Sequence, residues 1–128
     1  MFRKVQIIFA AMFSLALAFA CLGSFPSYAF EKSGGFERIS SAELPKEARE
    51  TLQLVRKGGP YPYSQDGVTF SNRERILPKE ARGFYREYTV KTPGVRSRGA
   101  RRIICGGSQQ NICYYTADHY ASFKQIKE

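Results

Sequence analysis

From Val5 to Gly23 the chain carries no charged residue, and the run is dominated by Ile, Phe, Ala, Leu and Met. A short basic segment, Met1-Phe2-Arg3-Lys4, precedes it, and Ser27-Tyr28-Ala29 follows with small residues at the two positions a signal peptidase reads. Basic head, apolar run and small-residue stop make residues 1–29 a secretory signal peptide, cleaved after Ala29. An uncleaved membrane anchor is the competing reading, since the run is close to spanning length. A lipoprotein signal ending at Cys21 fits less well, because Ala18-Phe19-Ala20 is a poor lipobox. What must fold is therefore residues 30–128, a stretch of single-domain size expected outside the cell, with no membrane attachment once the signal is cut.

Cleavage removes Cys21 and leaves Cys105 and Cys113, an even pair in an oxidising compartment. Gly106-Gly107 lies in the short stretch between them, so the two can face each other across a hairpin. Closing so short a loop stabilises a fold by roughly 2–3 kcal/mol on the chain-entropy model. The spacing fits no zinc pattern, and the chain's 1 histidine cannot complete one. The signal also takes away Arg3 and Lys4 but no acid, so a formal charge of +9 falls to +7. A small secreted protein this basic suits a polyanion: nucleic acid, an anionic surface or an acidic inhibitor. The same charge would also serve solubility alone.

Residues 30–43 are polar and carry Ser33-Gly34-Gly35, which reads as a flexible lead-in to a domain over 44–128. A helix opens that domain. Pro45 suits its first turn, Glu47 the positive end of the dipole, and Arg56 and Lys57 the negative end. Leu44, Ala48, Leu52 and Val55 recur at helical spacing as a core stripe, and Gly58-Gly59-Pro60 stops the helix. Turns set by Pro60, Pro62 and Asp66-Gly67 follow, with one short strand at Val68-Thr69-Phe70. The remainder alternates as strands over Phe84–Lys91, Ala100–Cys105, Cys113–Thr116 and Tyr120–Ile126. The expected class is α+β, with one N-terminal helix packed on a small antiparallel sheet. Leu-Pro-Lys-Glu-Ala-Arg occurs at 44–49 and again at 77–82; the first copy runs into the helical stripe, and the second is expected to be loop.

The lone histidine, His119, sits in Tyr114-Tyr115-Thr116-Ala117-Asp118-His119-Tyr120. Upstream lie a strand carboxylate, Glu87, and an arginine cluster of Arg96, Arg98, Arg101 and Arg102. Taken singly, each has a plain reading: a structural ion pair, a solvated basic edge, a buried core histidine. Taken together they are what metal-free RNA cleavage requires. A carboxylate accepts the proton of a ribose 2′-OH, an imidazolium protonates the leaving oxygen, and guanidiniums hold the phosphate between them. No second histidine supports a two-histidine mechanism, and no carboxylate cluster typical of a metal nuclease stands out, so no metal or cofactor is expected. A second constellation is Phe70-Ser71-Asn72-Arg73-Glu74. Backbone N–H groups of Ser71, Asn72 and Arg73 in a turn complement the O6 and N7 acceptors of guanine, and the Glu74 carboxylate complements its N1–H and 2-amino group. Phe70 offers a ring for stacking. An exposed polar turn is the alternative.

These segments carry a resemblance. Leu52–Phe123 is similar to the secreted bacterial guanyl-specific ribonucleases, the family that includes barnase, and most of all to its streptomycete-type branch. The likeness runs through Gly59-Pro60-Tyr61-Pro62-Tyr63-Ser64-Gln65-Asp66-Gly67-Val68, Phe70, Asn72-Arg73-Glu74, Glu87-Tyr88-Thr89-Val90, Thr92-Pro93-Gly94, Arg98-Gly99-Ala100-Arg101-Arg102-Ile103-Ile104 and Tyr114 to Ala121. It implies the microbial ribonuclease fold, with Glu87 as general base, His119 as general acid, Arg98 and Arg102 as a phosphate clamp, Tyr120 beside the phosphate, and the Asn72-Arg73-Glu74 turn as guanine reader. The implied activity is cofactor-free cleavage of single-stranded RNA 3′ of guanosine through a 2′,3′-cyclic phosphate. An acidic barstar-like protein inhibitor is a further partner the family suggests, and a monomer is the expected state. Two departures are visible. Streptomycete-type enzymes often tie their terminal regions with a disulfide, whereas this chain offers Cys105 and Cys113. Ser71 stands where a longer polar residue is usual. The competing function is a secreted cationic RNA- or polyanion-binding protein that keeps the scaffold without turnover.

Overall fold

The helical stripe finds its partner in a six-stranded sheet, seen in a computed structural model that describes residues 35–128. Residues 1–34, on which the expected signal peptide and the start of the expected lead-in fall, lie outside the described residues. Helix α1 spans Lys46–Lys57 and buries Ala48, Leu52 and Val55, with Leu44 buried just ahead of it. Pro45 occupies the cap position rather than the first turn, and its carbonyl accepts from Arg49 N at 3.0 Å. At the other end Gly58 takes φ 86°, a left-handed conformation that disfavours any side chain. The N–H groups of Gly58 and Gly59 then both donate to Leu54 O, closing the helix.

Strands β1 (Glu37–Ser40), β2 (Val68–Thr69), β3 (Tyr85–Thr89), β4 (Arg102–Gly106), β5 (Ile112–Thr116) and β6 (Lys124–Lys127) are ordered β1-β6-β5-β4-β3-β2. All neighbours are antiparallel except β1 with β6, which are parallel. That edge corrects two expectations: the sheet is not wholly antiparallel, and residues 37–43 are not a loose lead-in but β1 followed by a 3-10 turn at Ser41–Glu43. Most of β1 is exposed, so it carries no apolar alternation; its backbone pairing with β6 defines it. The last strand is also shorter than the span read from Tyr120 to Ile126. His119 and Tyr120 adopt φ of 55° and 72°, which no strand accommodates, and pairing begins only at Lys124. The second Leu-Pro-Lys-Glu-Ala-Arg copy is loop as expected, anchored by buried Leu77 and by a 2.6 Å hydrogen bond from Tyr85 Oη to Pro78 O.

Period-two alternation gives the sheet two unlike faces. Tyr88, Val90, Ile103, Cys105, Cys113, Tyr115 and Ile126 pack against α1 in one core cluster. Tyr85, Ile104 and Tyr114 belong to a second, smaller cluster with Leu77 and Phe123. Glu87, Thr89, Arg102 and Thr116 alternate with the helix-side residues and so share the second face. Register places Thr89 opposite Arg102 and Arg102 opposite Thr116, one polar row across three strands. The helix steadies this row, since Thr51 Oγ1 donates to Thr89 O at 3.1 Å. Asp66 steadies it too, its Oδ1 accepting from Thr89 N at 2.7 Å.

Cys105 and Cys113 are register partners on β4 and β5 and form a disulfide, with Cα atoms 4.1 Å apart, inside the helix-side cluster. Native protein is expected to be lighter than its reduced form by two hydrogens in intact-mass spectra. Reduction is expected to lower unfolding free energy by roughly 2–3 kcal/mol, read as a shift of the denaturant midpoint. Free labelling of both thiols in native material would contradict the bridge.

Candidate active site

Glu87 lies mid-strand in β3, paired with Val68 on one side and Ile104 on the other, so its carboxylate stands on the face away from α1. Each of its oxygens has a partner. Oε2 accepts from Tyr120 Oη at 2.5 Å, and Oε1 lies 3.7 Å from Arg98 Nη2. The side chain is 15% exposed, enough for a ligand to reach it. Arg98 is held in turn by Thr89, whose Oγ1 accepts from Arg98 Nε at 3.1 Å and Nη2 at 2.9 Å.

Arg102 is 3% exposed, an uncommon state for a guanidinium. Its Nη1 donates to the carbonyls of Arg101 at 2.7 Å and Gly99 at 3.0 Å, and lies 3.5 Å from that of Arg98. Its Nε is buried with no partner among the described residues. A buried donor without an acceptor is costly. Two guanidiniums against one carboxylate leave the face net positive, as a phosphodiester requires.

His119 occupies the β5–β6 connection and is exposed, which rules out the buried core histidine. Its backbone N–H donates to Ala100 O at 3.0 Å, tying the turn to the loop that carries Arg98 and leads into β4. Both His119 and Tyr120 are left-handed, at roughly 1–2 kcal/mol each for residues with a Cβ. Their rings are 4.9 Å apart. The Tyr120 hydroxyl is pushed up to about 12, first by burial and then by its hydrogen bond to Glu87, so it stays protonated and acts as a donor over the ordinary pH range.

Beside this polar face lies a cleft of about 180 Å³ lined by Phe70, Ser71, Asn72, Arg73, Glu74, Ile76, Tyr120 and Phe123. Every residue singled out in the sequence for substrate binding lines it. Ile76 and Phe123 are additional and flank the motif. Phe70 stacks at a 30° tilt on Tyr120 with centroids 5.1 Å apart, which joins the cleft to the Glu87 site. Asn72, at φ 51°, shapes the turn. Its Oδ1 accepts from Leu77 N at 3.2 Å and its Nδ2 donates to Leu77 O at 3.0 Å, so its side chain is occupied internally. None of the Ser71, Asn72, Arg73 or Glu74 N–H groups donates to a backbone carbonyl among the described residues. Sequence reading missed Thr89 as the brace of Arg98, and the polar cluster of Thr116, Asp118 and Ser122 around the His119 turn; the alternation at Thr89 was the one signal available.

Among the described residues no group of three or more His, Cys, Asp or Glu side chains is placed to hold a metal ion. No helix among them is long and apolar enough to cross a membrane.

Helix, sheet and polar face are those of a small α+β protein with a positively charged polar face next to a small cleft. A family profile described as ribonuclease matches residues 29–127. The chain is 57% identical over 89 residues to guanyl-specific ribonuclease Sa3 of Kitasatospora aureofaciens, a match covering 70% of this chain and 62% of that protein. It is 58% identical over 90 residues to guanyl-specific ribonuclease Sa of the same organism, covering 70% of this chain and 93% of that one. A crystal structure of ribonuclease Sa2 with guanosine-2′-cyclophosphate superposes with a TM-score of 0.67 at 47% identity, covering 72% of this chain and 96% of the other. The chain belongs to the ribonuclease family.

Proposed function

We propose that this protein is a secreted guanyl-specific endoribonuclease that cuts single-stranded RNA on the 3′ side of guanosine by transesterification. One observation carries the reading: Glu87, Arg98 and buried Arg102 share one sheet face, directly joined through Tyr120 to the Phe70–Glu74 cleft. Relatives named for guanyl specificity, and a neighbour solved with a guanosine cyclophosphate, support it.

The chemistry follows from the side chains. Guanine enters the cleft, with the Ser71–Arg73 N–H groups toward O6 and N7 and Glu74 toward N1–H and the 2-amino group. Glu87 accepts the 2′-OH proton as the 2′-oxygen attacks phosphorus. Arg98 and Arg102 hold the charge that builds on the non-bridging oxygens, and Tyr120 Oη donates beside them. His119 protonates the departing 5′-oxygen, leaving a 2′,3′-cyclic phosphate. Hydrolysis of that ester runs the two proton transfers in reverse: His119 draws the proton from water and Glu87 returns one to the 2′-oxygen. The transesterification therefore needs Glu87 as carboxylate and His119 as imidazolium in the same molecule.

The test is cleavage of a GpN dinucleotide in excess EDTA. Cleavage that persists supports a reaction run by side chains alone. Loss of activity restored by one divalent ion would contradict it, and tight RNA binding with no cleavage would make the protein a polyanion binder. Glu74→Ala is expected to reduce GpN turnover about 10- to 100-fold, in line with roughly 1–3 kcal/mol for a bidentate base contact, while leaving ApN turnover nearly unchanged. Equal losses on both would make Glu74 structural. Secretion follows from the signal-like residues 1–29 and fits the disulfide. A monomer is the working state in this proposal, and an acidic barstar-like inhibitor would match the positive face.

A further inference from the structure

His119 has no hydrogen bond to its imidazole ring among the described residues, and its side chain is exposed. The imidazole lies beside the Tyr120 ring, with centroids 4.9 Å apart, on the backbone of its own turn. That backbone is left-handed at two successive non-glycine residues, so some other interaction must hold it there. Asp118 is placed to do so. Its Oδ1 accepts from Thr116 Oγ1 at 2.8 Å and from Ser122 N at 2.9 Å, and its Oδ2 accepts from Ser122 Oγ at 2.5 Å. Thr116 Oγ1 accepts in turn from Tyr120 N at 3.2 Å. The carboxylate thus links Thr116, which ends β5, to Ser122, two residues past the left-handed pair, while the His119 N–H is held separately by Ala100 O.

We infer that Asp118 is a positioning residue for His119, its carboxylate locking the left-handed turn that presents the imidazole to the leaving oxygen. The inference rests on the reading of His119 as the proton donor. It assigns Asp118 no contact with substrate: the residue is exposed, away from the base cleft lining, and all its hydrogen bonds are local to the turn. Those same bonds, led by the ones from Ser122, hold its carboxyl down to about 2, so the clasp is ionised wherever the enzyme would work. The Tyr120 ring has its own supports in Phe70 and Glu87, so the freedom released by losing the clasp falls on the imidazole.

The experiment compares wild type, Asp118→Ala and Asp118→Asn on two substrates in EDTA. One is GpC, whose alkoxide must be protonated to leave. The other is guanosine 3′-(4-nitrophenyl phosphate), whose nitrophenolate leaves without a proton. Asp118→Ala is expected to lower kcat on GpC by roughly 10²-fold with KM little changed, the scale of a misplaced catalytic group. On the nitrophenyl ester its kcat is expected to stay within a few-fold of wild type. Asp118→Asn keeps a carbonyl acceptor and is expected to recover most of the GpC rate; Ser122→Ala is expected to show a milder loss of the same kind. In hydrogen exchange, the Tyr120 and Ser122 amides of Asp118→Ala are expected to lose protection while those of Ile103 and Ile104 keep theirs. Equal losses on both substrates, or full GpC turnover in Asp118→Ala, would overturn the inference alone. A wild-type protein unable to cleave GpC would overturn the reading of the site and this inference with it.

Discussion

Replacement of His119 by alanine is expected to slow cleavage of a GpN dinucleotide by roughly 10²–10⁴-fold, the usual worth of a positioned general acid with a poor leaving group. Guanine mononucleotide binding is expected to stay close to wild type, because His119 does not line the cleft. The fold is expected to survive, since the side chain is exposed and its structural bond, from N–H to Ala100 O, belongs to the backbone. One complication is specific to this position. At φ 55° alanine is itself disfavoured, so part of any loss would come from the turn. Asparagine tolerates the left-handed region better and has no proton to give at this step. His119→Asn therefore isolates the chemistry, and it is expected to be as slow as the alanine variant. Near-full GpN cleavage by either variant would place the acid elsewhere.

Arg102→Ala is expected to cost roughly 10²–10³-fold in kcat, the scale of removing one donor from a developing oxyanion. It is also expected to destabilise the protein. The carbonyls of Gly99 and Arg101 lose their closest donor and that of Arg98 a longer contact, and hydrogen bonds to a charged group contribute about 1.5–3 kcal/mol each. Arg102→Lys separates the two effects. An ammonium keeps the charge but cannot hold the carbonyls with one arm while turning another donor to phosphate, so it is expected to regain stability more fully than rate. Stopped-flow or steady-state kinetics set beside denaturant midpoints decide it. A fall in midpoint with unchanged kcat would make Arg102 a purely structural cation.

Helix α1 was legible because Leu44, Ala48, Leu52 and Val55 repeat at its period and Gly58 ends it. The central strands were legible because β3, β4 and β5 are rich in β-branched and aromatic residues and bounded by glycine-bearing turns. Strand alternation further puts Glu87 and Arg102 on a common face once the register is known, and the register is what a single sequence withholds. Edge strand β1 was not legible: its stability comes from backbone pairing with β6, and its side chains are mostly solvated. The early start read for β6 failed at Tyr120, where aromatic character suggests a strand but its N–H donates to Thr116 Oγ1 and, with His119 before it, it forms a left-handed turn. For the site, the motif residues of the base cleft were visible as a contiguous run, while Ile76 and Phe123 come from flanking segments that only the fold brings in. Thr89 showed only as an alternating polar position in β3, and Asp118 and Ser122 act by hydrogen-bond geometry, which leaves no periodic trace. Cys105 and Cys113 are the opposite case, since a short glycine-containing spacer between an even pair already suggests a hairpin bridge.

The most direct measurement is digestion of a defined, end-labelled single-stranded RNA by the purified protein in excess EDTA, with every cut mapped and its 3′ end identified. Cuts confined to the 3′ side of guanosines, each first bearing a 2′,3′-cyclic phosphate that opens slowly to a 3′-phosphate, are expected. Cuts spread over all four bases, direct appearance of 3′-hydroxyl ends, or intact RNA held in a stable complex would contradict the proposed function.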